Sequence, residues 1–301
     1  MAKTFSEPES MPRVSDLETA IPLGVRLRLG RAAIQTIAER ADVDILHIKG
    51  DAVDPLLRPD LGAGSDIDIL VRPSQLAVLD RALRGYGWAV YSTFANGSPF
   101  AHAQTYAHPL WGFVDVHRLF PGIRLEPGAA FARLWRNRLS MDFAGMPCPV
   151  PGRTEQATVL ALNAARGRSD ALQDLRRVWF DASPDERAGI ESVVAELDAR
   201  TAFDAAIGQL ERHRGERDYR LWKAVSENGT RLEEWRGRLV AAPTFARRVL
   251  IVLKAPMVNV EHLGHELGRA PRRTEILREF FARPLRGIRE SRARRAKRWR
   301  G

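Results

Sequence analysis

The sequence of 301 residues contains a single cysteine, Cys148. One cysteine excludes a disulfide within the chain, and chains with so little cysteine are typical of reducing compartments. The composition therefore predicts a cytoplasmic location.

Long apolar stretches are also missing. Segment 1–16 is polar and contains two prolines, so it lacks the apolar core of a signal peptide. The longest apolar run, 249–258, is interrupted by Lys254 and Pro256, and it is shorter than the roughly 20 residues that a membrane span needs. We expect no membrane insertion and a disordered segment at 1–16.

Several common catalytic and binding motifs are absent. The sequence has no Walker-type glycine-lysine loop, no G-x-G-x-x-G and no G-x-S-x-G. His262 and His265 lie three residues apart, but without further ligands of suitable spacing they favour a solvated helix over a zinc site. His102 and His108 flank Tyr106 in a polar stretch that we expect to be a loop or edge strand. The two histidines are either exposed loop residues, which is the favoured interpretation, or contacts for an acceptor molecule.

The positive charge is concentrated at one end of the chain. The formal net charge is +10, and segment 284–301 contains eight basic residues and one acidic residue. This basic tail is either a solvated helix end or a contact surface for a polyanion such as RNA, DNA or anionic lipid. The solvated helix is favoured, because no interleaved aromatic residues offer base stacking.

Helical and strand patterns alternate through the first 120 residues. Apolar spacing indicates helices at 17–41 and 74–87, the second capped by Ser74, with a short helix after residue 50 and strands at 43–50, 67–72, 88–93 and 113–120. From Pro127 onward strand signals nearly vanish and helical composition prevails. We predict an α+β fold: a small mixed sheet with flanking helices at 17–126, a mainly helical domain at 127–283, and the basic tail.

The stretch GSDIDILV at 64–71 places two carboxylates in an apolar strand pattern. Alternate side chains of a strand share a face, so Asp66 and Asp68 project together, about 6.6 Å apart at the backbone. Two carboxylates that close repel each other unless a cation lies between them. Mg²⁺ suits such an oxygen-rich site.

A second strand pattern, FVDVHRLF at 113–120, places Asp115 and His117 on one face in the same way. If this strand pairs beside 67–72, three carboxylates meet and offer a two-cation clamp for phosphoryl displacement. The alternative is structural, with Ser65 and Asp66 capping a turn and Asp68 pairing with a neighbour such as Arg72. Because both strand patterns place their aspartates at alternate positions between apolar residues, the metal site is favoured over the structural alternative.

The order of these features resembles the DNA polymerase β-type nucleotidyltransferase superfamily, and most of all its branch of uncharacterised bacterial nucleotidyltransferases. A strand ending in Lys49-Gly50, a short helix, the SDIDILV strand, an amphipathic helix and a later VDVH strand match over roughly residues 25–120. The resemblance implies transfer of a nucleoside monophosphate from an NTP, with ATP favoured, to a hydroxyl acceptor, with release of pyrophosphate. The acceptor is a small molecule, a protein or an RNA.

The resemblance also implies roles for individual residues. Asp66, Asp68 and Asp115 would hold two Mg²⁺ ions, which Mn²⁺ can replace, and Asp115 would in addition serve as the general base. The nucleotide would lie against Lys49, Gly50, Asp51 and Ser65. His117 would contact the acceptor or support Asp115. Arg58 would either reach phosphate or pair with Asp54 or Asp60.

One position departs from the superfamily pattern. Active members usually have Gly-Ser at the phosphate turn, whereas this chain has Gly50-Asp51. A carboxylate there either opposes the triphosphate, turns away from it, or marks weakened catalysis. The alternative function is therefore a nucleotide-binding or regulatory module on the same fold.

Overall fold

The computed structural model describes residues 21–59, 64–94, 100–167, 169–242, 244–254, 271–275, 277–280 and 282. The predictions for segment 1–16, for His262 and His265, and for the basic tail lie outside these residues. Within the described residues, no helix combines the length and the apolar character that crossing a bilayer requires.

The first part of the chain forms a five-stranded mixed sheet. Its elements are α1 (Leu23–Arg40), β1 (Ile45–Ile48), β2 (Ile67–Val71), α2 (Leu76–Gly85), β3 (Ala89–Ser92), β4 (Ala103–His108) and β5 (Gly112–His117). The strand order is β1-β2-β5-β4-β3. Only β2 and β5 pair in parallel, and the other neighbours are antiparallel. The two strands with the aspartate motifs are therefore adjacent.

Each face of the sheet packs into a different apolar cluster. Ile67, Ile69 and Val116 lie in a cluster that α1 and α2 complete on one face. Leu70 of β2, on the opposite face, packs into the cluster of the helical half. All five residues of β2 are buried, because both faces are covered, and Asp68 and Asp115 belong to the face that meets the helical half.

The second part of the chain is mainly helical, which confirms the predicted α+β class. It contains α3 (Pro127–Arg136), the strands β6 (Leu139–Phe143) and β7 (Met146–Val150), α4 (Arg153–Ala164), α5 (Ser169–Leu175), a π-helical turn (Arg176–Phe180), α6 (Pro184–Glu196), α7 (Arg200–Ala206), α8 (Tyr219–Ser226), α9 (Arg231–Ala241) and α10 (Phe245–Lys254). Capping boxes begin two of these helices, Ser183 with Glu186 at α6 and Thr230 with Glu233 at α9.

The β6–β7 hairpin corrects the expectation that strands end near Pro127. The sequence did not indicate a strand at 146–150, which contains Pro147 and Pro149, and proline lacks an amide hydrogen for the sheet. The two prolines are two residues apart and pair with Asp142 and Ser140 of β6. The two backbone positions that lack an amide hydrogen therefore lie on the same edge of β7, and the hairpin forms without those two donors.

Two further expectations are corrected in the sheet region. Ser74 makes no capping hydrogen bond, because it lies inside a 3₁₀ turn (Pro73–Gln75) that precedes α2. The stretch with Tyr106 is an interior strand rather than an exposed loop or edge strand, since β4 pairs with both β3 and β5. Its polar side chains have partners: the Tyr106 hydroxyl donates to Asp80 at 2.5 Å.

Gly122 lies between the sheet and the helices. Its φ is +100°, and a Cβ there would lie 2.6 Å from Cβ of Ala202 on α7. Gly145, in the β6–β7 turn, also has a positive φ of +83°, but a Cβ there would meet nothing within 4 Å. A comparison of Gly122 with Gly145 therefore distinguishes the effect of a close steric contact on stability from the effect of a positive φ.

We predict that Gly122→Ala lowers the free energy of unfolding by about 2–4 kcal/mol, since overpacking adds to the left-handed backbone penalty. Gly145→Ala, the control, should cost about 1–2 kcal/mol from the backbone alone. Urea unfolding followed by circular dichroism measures both, and equal losses would contradict the close packing at Gly122.

Candidate active site

A cleft opens between the sheet and the helical half. It contains about 940 Å³ of empty space, counted with the open solvent at its mouth. The β1–β2 connection and the strands β2, β4 and β5 form one wall. Helices α4 and α5, together with Arg166 two residues after α4, form the other. The polar lining residues are Lys49, Arg58, Ser65, Asp66, Asp68, His102, Thr105, Asp115, His117, Asn163, Arg166 and Asp174.

The parallel pairing of β2 and β5 brings the predicted carboxylates together. Asp68 and Asp115 are direct register partners, so their side chains leave the same face of the sheet side by side. Asp66 precedes β2 and lines the same cleft. The convergence expected from the two strand motifs is present.

The three carboxyl groups influence one another electrostatically. Burial raises the pKa of Asp66, and the negative charges of Asp68 and Asp115 raise it further, although Lys49 and a hydrogen bond from Ser65 oppose the rise. The part of the rise in pKa that comes from the charges of Asp68 and Asp115 reflects a concentration of negative charge, which would stabilise a bound cation.

The donor set fits a hard divalent cation. Ligand atoms of Asp68, Asp115 and His117 all lie within 4.8 Å of one another. Carboxylate oxygens are the ligands that Mg²⁺ prefers, and a cation would relieve the repulsion between Asp68 and Asp115. Asp66 lines the cleft but is not part of this group of ligand atoms. The residues present therefore suit a divalent metal.

Two basic groups contact the same oxygen of Asp68. Lys49 Nζ lies 2.5 Å from Asp68 Oδ1, and His117 Nε2 lies 2.8 Å from it. Burial alone would raise the pKa of Asp68, but Lys49 and His117 outweigh it and hold this pKa well below its ordinary value. Asp68 is thus ionised, with Lys49 as its counter-ion.

The supporting contacts differ from those expected. His117, expected to contact the acceptor or support Asp115, bonds Asp68 instead. Asp115 is held by Thr105 of β4, whose hydroxyl donates to Oδ1 at 2.6 Å. Thr105 and Asp115 are register partners on neighbouring strands, a relation that no local motif reveals.

Two residues expected near the nucleotide have other partners. Asp51 accepts a hydrogen bond from Arg31 at 2.6 Å, and it is not among the residues that line the cleft. Arg58 does line the cleft, but it pairs with Asp174 of α5 at 3.2 Å. Asp54, one of the partners expected for Arg58, pairs with Arg153 at 2.9 Å.

The helical wall adds residues that the sequence patterns did not single out for the site. Asn163, Arg166 and Asp174 come from helical segments without a recognisable motif. His102, expected to be exposed, is 3% exposed. Burial, followed by the influence of His117, Arg166 and Lys49, lowers the pKa of His102 to about 2, so its ring is neutral at physiological pH.

Comparisons with known proteins give distant matches only. No family model matches the sequence, and no curated protein matches it. The lincomycin-bound lincosamide antibiotic adenylyltransferase LnuA matches with 15% identity over 55% of this chain and 94% of its own, at a TM-score of 0.32. The antibiotic-resistance factor ANT(2'')-Ia matches with 12% identity over 60% of this chain and 90% of its own, at a TM-score of 0.35.

A third match is an antigenic nucleotidyltransferase-like protein from Paracoccidioides brasiliensis. Its identity is 14% over 60% of this chain and 93% of that chain, at a TM-score of 0.37. The functional conclusion rests on the geometry of the cleft, because likeness at these values identifies no substrate.

Buried His47 makes the fold that supports this site sensitive to acid. Burial, followed by the positive charge of Arg31, lowers its pKa well below 6.5. Below about pH 6.5 the unfolded chain therefore binds a proton that the folded chain refuses, and the free energy of unfolding falls as the pH falls.

We predict that His47→Gln, which keeps a donor and an acceptor for Gln35 and Arg31, flattens this dependence between pH 7 and pH 5. The slope of the free energy of unfolding against pH should differ between the wild-type protein and His47→Gln by at most about 1.4 kcal/mol per pH unit. Urea unfolding at several pH values measures it, and parallel curves for the two proteins would contradict a neutral His47.

Proposed function

We propose that the cleft transfers a nucleoside monophosphate from an NTP to a hydroxyl acceptor, with release of pyrophosphate. The observation that carries this proposal is the side-by-side placement of Asp68 and Asp115 on parallel strands, with Asp66 beside them on the cleft wall. Acids in this arrangement repel one another without a cation, which supports a metal-dependent reaction on a polyanionic substrate.

Asp66, Asp68 and Asp115 would hold the metal. When bound, two Mg²⁺ ions would neutralise the phosphate oxygens and lower the pKa of an acceptor hydroxyl, and Mn²⁺ can replace them. Asp115 keeps a second carboxylate oxygen besides the one that Thr105 binds. That oxygen is suited to accept the acceptor's proton.

In the proposed reaction, the nucleotide would lie against Lys49, Gly50 and Ser65, which line the cleft. The ammonium group of Lys49 lies at the cleft, where a triphosphate would compete with Asp68 for it. Gly50 has a φ of +53°, a conformation that glycine adopts without strain and that exposes its backbone to a ligand. Ser65 adds a hydroxyl at the start of the acidic strand.

The opposite wall is the proposed acceptor side. Asn163 and Arg166 offer hydrogen-bond donors, and the Arg58–Asp174 ion pair adds a positive and a negative group. ATP is the favoured nucleotide. The acceptor is a small molecule, a protein or an RNA.

The contact of Asp51 with Arg31 supports an enzyme over a nucleotide-binding or regulatory module. The reason for the alternative was a carboxylate facing the triphosphate at the phosphate turn. Since Asp51 is paired and does not line the cleft, its charge does not oppose the nucleotide there.

The test is pyrophosphate release from ATP, CTP, GTP and UTP with Mg²⁺ or Mn²⁺, with mass spectrometry of candidate acceptors to find the gained nucleotide. Asp68→Asn and Asp115→Asn should each reduce release at least about a hundredfold. Asp181→Asn, which changes an exposed carboxylate outside the cleft, is the control.

Two results would count against the proposal. Nucleotide binding without pyrophosphate release across many acceptors would favour the regulatory module. Release that persists in both cleft variants would place the chemistry elsewhere.

A further inference from the structure

Arg31 of α1 is fully buried, with an exposed fraction of 0%. Its Nε donates to Asp51 Oδ1 at 2.6 Å, and the Asp51 side chain is 20% exposed. A buried guanidinium is stable only with a counter-charge and satisfied donors. Asp51 supplies that charge.

The remaining donors of Arg31 connect the phosphate turn to the acidic strand. Nη2 donates to the backbone carbonyl of Lys49 at 3.2 Å, and Nη1 donates to the backbone carbonyl of Asp68 at 3.4 Å. Arginine can bridge several acceptors because its donors lie in one rigid plane. One side chain thus contacts the backbone of two residues that face the cleft.

The surroundings leave Arg31 little freedom. Its guanidinium carbon lies 5.5 Å from the centre of the Phe143 ring on β6. A Cβ at Gly50 would lie 3.1 Å from Nη2, so glycine is needed there for the arginine as well as for the backbone conformation. Lys49 has a φ of +56°, a strained conformation that must be held by its neighbours.

We infer that Arg31 and Asp51 are a positioning pair for the nucleotide site. Arg31 fixes Lys49 relative to Asp68, and Asp51 keeps the guanidinium in place without touching the nucleotide. This explains why an acidic residue can follow Gly50 where the superfamily usually has serine. The inference rests on the proposed function only where it concerns nucleotide binding.

Two variants test the pair. Asp51→Asn keeps the shape but removes the charge, and Arg31→Lys keeps the charge but removes the planar set of donors. We expect each to weaken ATP binding in the presence of Mg²⁺ by about tenfold, measured by calorimetry, because charge-assisted contacts to the turn are lost. We also expect faster amide hydrogen exchange in both 45–53 and 64–71, measured by mass spectrometry.

Asp44→Asn is the matched control. Asp44 pairs with Arg72 at 2.7 Å, at the other end of the same two strands, so this variant removes a charge pair without touching the turn. It should leave ATP binding and the exchange of 49–53 unchanged. Because Arg31 is fully buried, Arg31→Lys also destabilises the fold, so the comparison of Asp51→Asn with Asp44→Asn is decisive by itself.

The outcomes are distinct. Tighter ATP binding by Asp51→Asn would mean that Asp51 faces the nucleotide and would overturn the inference. Faster exchange confined to 49–53 would also overturn it, since the link to β2 would then be absent. If the wild-type protein binds no NTP, the proposed function fails, while the exchange data still decide on the pair.

Discussion

The repulsion between two neighbouring carboxylates is the constraint on which the rest of the cleft depends. Asp68 and Asp115 are register partners on parallel strands, and Asp68 is buried. Such a pair is unfavourable unless positive groups or cations compensate it. Lys49 does so at Asp68, where His117 adds a hydrogen bond, and Thr105 donates to Asp115.

The surrounding fold determines where those compensating groups lie. Helix α1 and the β6–β7 hairpin enclose Arg31 behind the turn at Lys49 and Gly50, and α4 and α5 close the other side of the cleft. The sheet thus separates the face that carries Asp68 and Asp115 from the face that α1 and α2 cover. The helical half is needed for the site because it supplies the wall opposite the acids.

The local patterns of the sequence were sufficient to predict β1, β2, β3 and β5, and to predict which faces of β2 and β5 carry the aspartates. The period of two in 67–71 and 113–117 placed Asp68 and Asp115 on the faces that the structure has, because burial of the alternate Ile and Val residues determines which side points inward. The α+β class followed from the change from strand patterns to helical composition near residue 127.

Contacts between distant parts of the chain could not be predicted in the same way. The pairing of Arg58 with Asp174 joins residues in the β1–β2 connection and α5, and the burial of His102 depends on packing that no short window contains. The β6–β7 hairpin was missed because its prolines were interpreted without knowing which edge they face. The contact of Asp51 with Arg31, which lies 20 residues earlier, is likewise absent from any local pattern.

The most direct test of the account is a crystal structure of the protein with Mn²⁺ and a non-hydrolysable ATP analogue, using the anomalous signal of manganese. The account predicts an anomalous peak within coordination distance of both Asp68 and Asp115, with the triphosphate in the cleft between the sheet and α4. Manganese bound elsewhere, or a nucleotide outside this cleft, would contradict it.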